Sequence, residues 1–402
     1  MNARDLDAAD PLAGFRDRFL PSPRVVAYLD GNSLGRPPIV TAQRIEAFVR
    51  EEWAGRLIRG WTDGWMEWPG QVGDRLAAAA LGAGPGQTVV ADSTTVLLYK
   101  LARAAVDHAA AHDRREIVAD TDNFPTDRYV LEGIAAERGC TLRWIETDPA
   151  AGITPEQVAA VVGPGTALVL ASHVAYRSGW MADAAAITAI AHDAGALVLW
   201  DLSHSVGSVE LELDAWGVDL AAGCTYKYLN AGPGSPAFGY VRRDLQDTVR
   251  QPIQGWMGRH DPFEMGPGYI PAAGVRSVVS GTPPILAMVP LLCGLEMLEE
   301  AGIAAVRAKS VALTSFALEI VDADLVPLGV EVVSPRDPAR RGGHLTLRRA
   351  GFRDVLDALW KRGVIPDYRE PDGIRIGLSP LSTSFAEVER GLAVLRDVLV
   401  GD

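Results

Sequence analysis

Short apolar runs alternate with longer Ala-rich amphipathic stretches between about residues 74 and 240. The apolar runs predict strands at residues 89–91, 116–119, 141–145, 167–171 and 197–201. The stretches between them predict helices at residues 95–111, 127–138 and 183–194. Strands that alternate with helices are typical of a mostly parallel sheet covered on both faces. The carboxyl ends of such strands share one edge of the sheet, and we expect a ligand site there.

The pattern changes after residue 284. A long helix is predicted over 285–301, followed by helices and short strands that include 344–348 and 373–378. We therefore expect three parts: an N-terminal arm (1–55) that joins the small domain, a large domain (56–284) and a small C-terminal α/β domain (285–402). The cleft between two closely joined domains is a natural place for a ligand.

Composition narrows the class of protein. The chain has 402 residues and a formal net charge of −13, with no cluster of Lys and Arg, so nucleic acid is not an expected partner. No apolar run approaches the roughly 18 residues of a membrane span, and the first ten residues lack a signal-peptide pattern, so we expect no membrane partner. Cys140, Cys224 and Cys293 form no CxxC pair, which favours reduced thiols in the cytoplasm over disulfides or a metal site.

Asp201 and Lys227 give the most specific indication of the chemistry of this protein. Asp201 ends an apolar predicted strand, and we expect Lys227 on a second short strand, flanked by Tyr226 and Tyr228. If the two strands are near neighbours, both side chains face one cleft. A lysine there can form a Schiff base, and a partly buried aspartate can keep a pyridinium nitrogen protonated, as pyridoxal 5'-phosphate (PLP) enzymes require. The alternative is a strand-end aspartate and an unrelated surface lysine.

Neighbouring residues support the cofactor interpretation. His204 lies one turn beyond Asp201, where its imidazole could bond the phenolic oxygen of the cofactor. Residues 93–95, with the sequence STT, follow a predicted strand and open a helix. Hydroxyl and backbone N–H groups at a helix N-terminus suit a phosphate. Simple capping of the helix is the commoner use of such residues, and the two roles can coexist.

Seven segments, in order along nearly the whole chain, resemble the kynureninase family of PLP-dependent hydrolases, in its bacterial type. They lie at residues 28–35, 123–127, 200–204, 224–232, 255–258, 280–284 and 367–371. The resemblance implies the PLP-dependent transferase fold type I of the class V aminotransferase superfamily, an α/β fold with a mostly parallel sheet and a smaller C-terminal domain. It also implies a homodimer with sites at the subunit interface. The implied reaction is hydrolysis of L-kynurenine to anthranilate and L-alanine by Cβ–Cγ cleavage, in tryptophan catabolism by the kynurenine pathway and in NAD biosynthesis.

The resemblance further implies a role for each matching residue. Lys227 would carry PLP as a Schiff base, Asp201 would pair with the pyridine nitrogen, and Tyr226 is the candidate proton relay. Thr94, Thr95 and Tyr226 would hold the phosphate, joined by Trp256 and Thr282 from a partner subunit. The other cofactor residues would be Phe124 (stacked on the ring), Asp127, Ser172 and His204. Arg375 would clamp the substrate α-carboxylate through its planar fork, and Asn32, Ser33 and Trp61 would also bind substrate.

Two positions bear on the substrate ring. Trp61 and Thr282 stand where vertebrate-type enzymes that prefer 3-hydroxykynurenine carry His and Asn. Burying a ring hydroxyl without those partners costs about 1–3 kcal/mol, so the sequence favours unsubstituted L-kynurenine. Ala175 and Arg177 stand where bacterial members tend to have Asn and Lys. A preference for 3-hydroxykynurenine, or for a ring-modified kynurenine in secondary metabolism, therefore stays open.

Two rival classes remain. The first is another enzyme of the same fold, such as a class V aminotransferase or a cysteine desulfurase. A desulfurase needs a mobile catalytic cysteine, whereas the three cysteines fall in or beside predicted strands or within a helix. The second rival is a non-catalytic protein that kept the fold. Lys227, Asp201 and Arg375 together argue against it, because a scaffold needs none of them.

Overall fold

The structure is a computed structural model, and it describes residues 2–401. The helices are α1 (Ala3–Ala9), α2 (Ile39–Ala47), α3 (Ala54–Arg56), α4 (Trp68–Leu76), α5 (Thr94–Ala110), α6 (Pro125–Arg138), α7 (Pro155–Ala159), α8 (Ala184–Asp193), α9 (Ile285–Ala301), α10 (Ile303–Ile320), α11 (Phe352–Lys361) and α12 (Phe385–Val400). The strands are β1 (Ala27–Tyr28), β2 (Thr88–Ala91), β3 (Glu116–Asp120), β4 (Thr141–Ile145), β5 (Thr166–Ser172), β6 (Leu197–Asp201), β7 (Leu220–Gly223), β8 (Ala237–Val241), β9 (Glu331–Val332), β10 (His344–Arg348), β11 (Val364–Ile365), β12 (Asp367–Arg369) and β13 (Gly373–Gly377).

The central sheet has the strand order β2–β8–β7–β6–β5–β3–β4. The strands from β3 to β7 pair in parallel, and β8 is antiparallel to both of its neighbours, β2 and β7. The two central strands β5 and β6 are apolar throughout their middle because both faces of the sheet are covered. The predicted α/β fold with a mostly parallel sheet is therefore confirmed.

Alternate side chains of the sheet pack into two separate cores. Val118, Val169 and Trp200 point into one core, which also contains residues of α8 and α9. Ile117 and Leu168 point into the other, together with the apolar sides of α5 and α6. The period of two along each strand thus supplies both layers of helices with a packing surface.

A second sheet, with the order β12–β13–β10–β9, is antiparallel throughout. It belongs to a third core that includes Leu345 and Ile374 together with Ala27 and Leu29 from the N-terminal part of the chain. Strand β1 pairs in parallel with β11 as a separate two-stranded sheet, and Asp30 forms an isolated bridge with Gly377 at the end of β13. Helix α9 packs its buried side chains in the first core, against the large sheet. The domain boundaries at residues 55 and 284 stay a prediction.

Lys227 does not lie on a strand, contrary to the expectation from the sequence. Strand β7 ends at Gly223, where a Cβ atom would lie 2.7 Å from Cζ of Phe238. The following backbone makes local hydrogen bonds instead: the Asn230 N–H donates to the Lys227 carbonyl at 3.0 Å and the Ala231 N–H to the Thr225 carbonyl at 3.1 Å. Lys227 therefore reaches the site from a tight loop. Within residues 2–401, none of the helices combines the length and apolar character that crossing a bilayer requires.

Candidate active site

A pocket of about 510 Å³ opens at the carboxyl edge of the central sheet, beside the ends of β6 and β7. It is lined by Thr94, Thr95, Leu98, Phe124, Thr126, Asp127, Asp201, Ser203, His204, Tyr226 and Lys227. The structure therefore brings most of the predicted cofactor residues together in one place. They come from segments far apart in the sequence, as expected where parallel strands end along a shared edge.

The N-terminus of α5 forms one end of this pocket. The helix begins at Thr94, and the Ser93 side chain makes no capping hydrogen bond. The first backbone N–H groups of a helix have no partner within it and attract anions. Tyr226 lines the same pocket, and burial raises the pKa of its phenol, so the hydroxyl stays protonated and can donate. This end of the pocket fits a phosphate group.

Two carboxylates also line the pocket, those of Asp127 and Asp201. Asp127 is fully buried, and neither of its carboxylate oxygens has a hydrogen-bond partner within the described residues. Burial raises the pKa of Asp127 well above its ordinary value, and repulsion from Asp201 and Asp120 adds to the effect. Asp201 accepts a hydrogen bond from the Ser203 backbone N–H at 2.8 Å, which orients its carboxyl group. A pyridinium N–H would supply the hydrogen-bond donor that Asp127 lacks.

Phe124 provides the flat apolar surface of the pocket. It lies immediately before α6, which has Pro125 in its first turn. Its ring meets that of Tyr176 edge-on, with the ring centroids 5.3 Å apart. This contact fixes the Phe124 ring and leaves it facing the pocket, as a stacking partner for an aromatic cofactor must be.

Lys227 is 9% exposed, and its Nζ lies 3.2 Å from Nε2 of His204. Burial lowers the pKa of Lys227, and the cations Arg375 and Arg369 lower it further, while Cys224 and Asp201 oppose the shift. A lysine with a lowered pKa has a larger fraction of neutral, nucleophilic amine. His204 is fully enclosed, and burial, reinforced by Lys227 and Arg375, holds its pKa well below the usual range.

Ser172 lies beside the cofactor pocket and not in its lining. It ends β5, and its hydroxyl donates to Oδ1 of Asn123 at 2.7 Å. Both residues line an adjoining pocket of about 300 Å³ that also contains Asp120 and Tyr176. Ser172 thus reaches Phe124 through Asn123, whose Oδ1 also accepts from the Phe124 N–H at 2.8 Å.

Arg375 is completely buried and lies on β13, opposite Thr346 on β10. Its Nη1 donates to the Tyr176 carbonyl at 2.7 Å and its Nη2 to Oγ of Ser33 at 2.7 Å. The Asn32 amide, with its oxygen turned towards the guanidinium, accepts from Nε at 2.7 Å. The predicted substrate residues Asn32, Ser33 and Arg375 therefore form one cluster. Nη1 of Arg375 also lies 3.5 Å from Nε2 of His204, so this cluster adjoins the cofactor pocket.

Trp61, Trp256 and Thr282 lie outside both groups of residues within one chain. Trp61 packs edge-on against Trp65, with the centroids 5.5 Å apart. Trp256 is 39% exposed, and Thr282 is also at the surface. Their sequence neighbours Met257 and Pro283 line an apolar surface pocket of about 480 Å³ that also contains Met66.

Sequence reasoning missed several residues that the structure places at the site. Tyr176 contributes its carbonyl to Arg375 and its ring to Phe124. Asn123 and Asp367 fall within the matching segments, although neither received a role. Tyr176 follows β5 closely, so the rule that ligand residues gather at the carboxyl ends of strands could have identified it. The residues that group around His204, including His344 at a ring-centroid distance of 5.6 Å, depend on the packing of the two sheets and have no local signal.

Comparisons with known proteins agree with this geometry. The family profile for the kynureninase C-terminal domain matches residues 306–395. The kynureninase of Pseudomonas fluorescens is 42% identical over 399 residues, which cover 98% of this chain and 94% of that protein. The kynureninase of Burkholderia pseudomallei strain K96243 is 41% identical over the same shares of the two chains.

Solved structures show the same fold at lower identity. A cysteine desulfurase from Thermococcus onnurineus NA1 aligns with a TM-score of 0.81 and 20% identity, covering 100% of this chain and 99% of that one. A mutant of C-DES, with glycine covalently linked to its PLP cofactor, aligns with a TM-score of 0.83 and 21% identity, covering 95% of this chain and 99% of that one.

These structures establish PLP fold type I, and the class V aminotransferase and desulfurase alternatives are not favoured by the stronger sequence relatives. The pocket fits PLP because it combines a helix N-terminus for the phosphate, an unpartnered buried acid for the ring nitrogen and a buried lysine. With more than 40% identity to curated kynureninases over nearly its whole length, the chain belongs to the kynureninase family.

Proposed function

We propose that this protein hydrolyses L-kynurenine to anthranilate and L-alanine with PLP as its cofactor. The observation that carries the proposal is the convergence of Lys227 and Arg375 on His204. A reactive amine and a carboxylate clamp that lie within 3.5 Å of the same imidazole nitrogen suit an α-amino acid, whose amino and carboxylate groups share one carbon. Full-length similarity to kynureninases supports kynurenine as that amino acid.

We propose the following positions for the cofactor. The first turn of α5, with Thr94 and Thr95, holds the phosphate together with the Tyr226 hydroxyl. Asp201 and Asp127 hold the ring nitrogen, and Phe124 stacks on the ring. His204 borders the ring on the side of Arg375, and Ser172 orients Asn123 beside Phe124. When bound, PLP supplies an electron sink that stabilises negative charge on the substrate carbons next to the amine.

The side chains then carry out the proton transfers. Arg375 binds the α-carboxylate and fixes the orientation of the Cα–H bond. Nζ of Lys227, whose pKa is lowered by burial, accepts the Cα proton. Water adds to the γ-carbonyl carbon, and the Cβ–Cγ bond breaks to give the carboxylate of anthranilate. The Tyr226 phenol, which stays protonated because burial raises its pKa, donates a proton to Cβ. Lys227 returns its proton to Cα, which completes alanine. Of the two protons of the added water, one restores the phenol and the other passes to solvent as the carboxylate forms.

We also propose that two copies of this chain assemble with Trp256 and Thr282 of each completing the phosphate site of the other. An exposed apolar patch around Trp256 supports this assembly. It comprises Ile253 (41% exposed), Trp256 (39%), Phe263 (56%), Met265 (71%) and Ile270 (61%). The rings of Trp256 and Phe263 meet edge-on with their centroids 6.0 Å apart. Exposed apolar side chains that group in this way mark interaction sites in soluble proteins.

A complementation experiment tests the shared site. Lys227→Ala and Trp256→Ala copies are each expected to have little activity. Mixed dimers would contain one site built from the intact Lys227 of one copy and the intact Trp256 of the other. Unfolding and refolding an equal mixture should therefore restore about a quarter of wild-type activity. A mixture no more active than its components would contradict the exchange of residues between subunits.

We propose that the protein acts in the cytoplasm and takes unsubstituted L-kynurenine. The three cysteines are free, and Cys224 and Cys293 are buried, as suits a reducing compartment. The reaction is tested by incubating the PLP-loaded protein with L-kynurenine and measuring both products. Anthranilate and alanine should appear in equal amounts, and consumption of L-kynurenine without alanine would contradict the proposed bond cleavage.

A further inference from the structure

The register of the small sheet places three charged residues on the same face. Asp367 on β12 lies directly opposite Arg375 on β13. Arg369 is two positions beyond Asp367 and therefore points to the same side. It lies opposite Gly373, which has no side chain to occupy that face. The alternation of the strand thus builds a row of Arg369, Asp367 and Arg375.

One carboxylate oxygen joins the two guanidinium groups. Oδ2 of Asp367 accepts from Nη2 of Arg375 at 2.5 Å and lies 2.7 Å from Nη2 of Arg369. The exposed fraction of the side chain rises from 0% for Arg375 through 18% for Asp367 to 32% for Arg369. The row therefore leads from the buried substrate clamp to the surface.

The hydrogen bonds of Arg375 show which N–H groups of its guanidinium already have partners within the protein. Nε is bound by Asn32, and Nη2 by Ser33 and Asp367. One N–H of Nη1 is bound by the Tyr176 carbonyl. The contact of Nη1 with Nε2 of His204 is the longest, at 3.5 Å. The edge of the guanidinium that faces His204 and the cofactor pocket therefore has the weakest hydrogen bonding within the protein and is the most available to a substrate carboxylate.

The charges explain why two arginines accompany one aspartate. A guanidinium buried without a counter-ion is strongly disfavoured, and Asp367 neutralises Arg375. A neutral pair attracts a carboxylate weakly. Arg369 shares Asp367, so the three side chains of the row together carry one net positive charge, which Asp30 offsets when it is ionised. Without Arg369 the clamp would have no excess positive charge to attract an anionic group.

We propose that Asp367 and Arg369 are positioning residues for the carboxylate clamp: Asp367 fixes the plane of Arg375, and Arg369 maintains the positive charge that recruits the α-carboxylate of the substrate. This inference rests on the proposed function, since it assigns the carboxylate of L-kynurenine to Arg375. It predicts that both residues act on recognition of the carboxylate and leave the chemistry at Lys227 intact.

Asp367→Asn tests the first role. We expect KM for L-kynurenine to rise by about tenfold or more, with kcat within about twofold of wild type and the absorbance of bound PLP unchanged. The decarboxylated analogue of kynurenine, which keeps the ring, the ketone and the amine, serves as a competitive inhibitor. Its Ki should be the same for the variant and wild type. Asp367→Glu, which keeps the charge, should recover part of the affinity.

Arg369→Gln is the second variant, and it removes the cation while leaving the Asp367–Arg375 pair intact. It should also raise KM for L-kynurenine and leave the Ki of the decarboxylated analogue unchanged. Glu331→Gln is the matched control, because Glu331 pairs with Arg348 at 2.8 Å at the exposed end of the same sheet. Its kinetic constants should equal those of wild type.

The outcomes separate this inference from the proposed function. Wild-type protein that releases no anthranilate from L-kynurenine overturns both. An active wild type with unchanged KM in Asp367→Asn and Arg369→Gln overturns the positioning role alone. Equal weakening of L-kynurenine and of the decarboxylated analogue also overturns it, because a general loss of structure would do the same. If Asp367→Asn fails to fold, the result for Arg369→Gln decides.

Discussion

Lys227 and Arg375 approach the same nitrogen of one buried imidazole. Nζ of Lys227 lies 3.2 Å from Nε2 of His204, and Nη1 of Arg375 lies 3.5 Å from that atom. Burial and the two neighbouring cations keep the pKa of His204 well below its usual range, so the ring is neutral. His204 therefore sets the spacing between the reactive amine and the carboxylate clamp without adding a third positive charge.

Replacement of Lys227 tests its covalent role. Lys227→Ala should lose the visible absorbance that attachment of PLP to a lysine produces, and activity should fall by at least about a thousandfold. Lys361→Ala is the control, because Lys361 is exposed at the end of α11. A Lys227→Ala protein that kept both absorbance and turnover would refute the assignment.

Arg375→Lys tests the planar fork while keeping the charge. A lysine cannot reproduce the simultaneous contacts to Asn32, Ser33 and the Tyr176 carbonyl. KM for L-kynurenine should rise by about tenfold to a hundredfold, with PLP still bound. Steady-state kinetics and the cofactor absorbance measure the two effects. The exposed residue Arg348 provides the control, Arg348→Lys, and equal effects of the two substitutions would contradict a specific clamp.

The double substitution Trp61→His and Thr282→Asn tests the predicted preference for an unsubstituted ring. It supplies hydrogen-bonding partners for a ring hydroxyl, which should favour 3-hydroxykynurenine over L-kynurenine by about tenfold relative to wild type. The measurement is the ratio of kcat/KM for the two substrates. An unchanged ratio would show that these two positions do not line the ring pocket.

Ionisation of Asp30 should make the affinity for the substrate depend on pH. Burial, followed by repulsion from Asp367, raises the pKa of Asp30 to about 6, although Ser33, Arg375 and Arg369 oppose the shift. Above that pH the ionised carboxylate offsets the positive charge of the clamp. KM for L-kynurenine should therefore increase as the pH rises from about 5 to 7, and Asp30→Asn should remove this part of the profile.

The raised pKa of Asp30 also makes the free energy of unfolding depend on pH. Because the folded pKa of Asp30 lies above the unfolded value, the native state binds the proton more tightly, and this contribution to stability is lost as the pH rises towards about 6. The free energy of unfolding of Asp30→Asn should lack that decline. Denaturation at several pH values measures it, and parallel curves for the variant and wild type would contradict the raised pKa.

Local patterns in the sequence predicted the central elements well. The predicted strands 141–145 and 197–201 and the predicted helix 285–301 match β4, β6 and α9 residue for residue. The predicted helix 95–111 is displaced by one residue from α5. These segments have continuous apolar character or a clear helical period, so their own residues determine the structure.

Structural features that depend on contacts between distant parts of the chain could not be predicted from local sequence patterns. Lys227 was expected on a strand, because its apolar surroundings do not reveal the local hydrogen bonds that turn the chain after Gly223. Asp367 and Arg375 meet because β12 and β13 pair in one particular register. A shift of one residue would place Asp367 on the other face. Such contacts follow from tertiary structure and leave no mark in local composition.

The central claim is hydrolysis of L-kynurenine, and a paired assay of the purified, PLP-loaded protein tests it most directly. L-Kynurenine and 3-hydroxykynurenine are supplied in parallel, and the aromatic product and alanine are measured for each. The account predicts equimolar anthranilate and alanine from L-kynurenine, with a higher kcat/KM than for the hydroxylated compound. Absence of aromatic product from either substrate would contradict the account, and activity confined to 3-hydroxykynurenine would contradict its substrate.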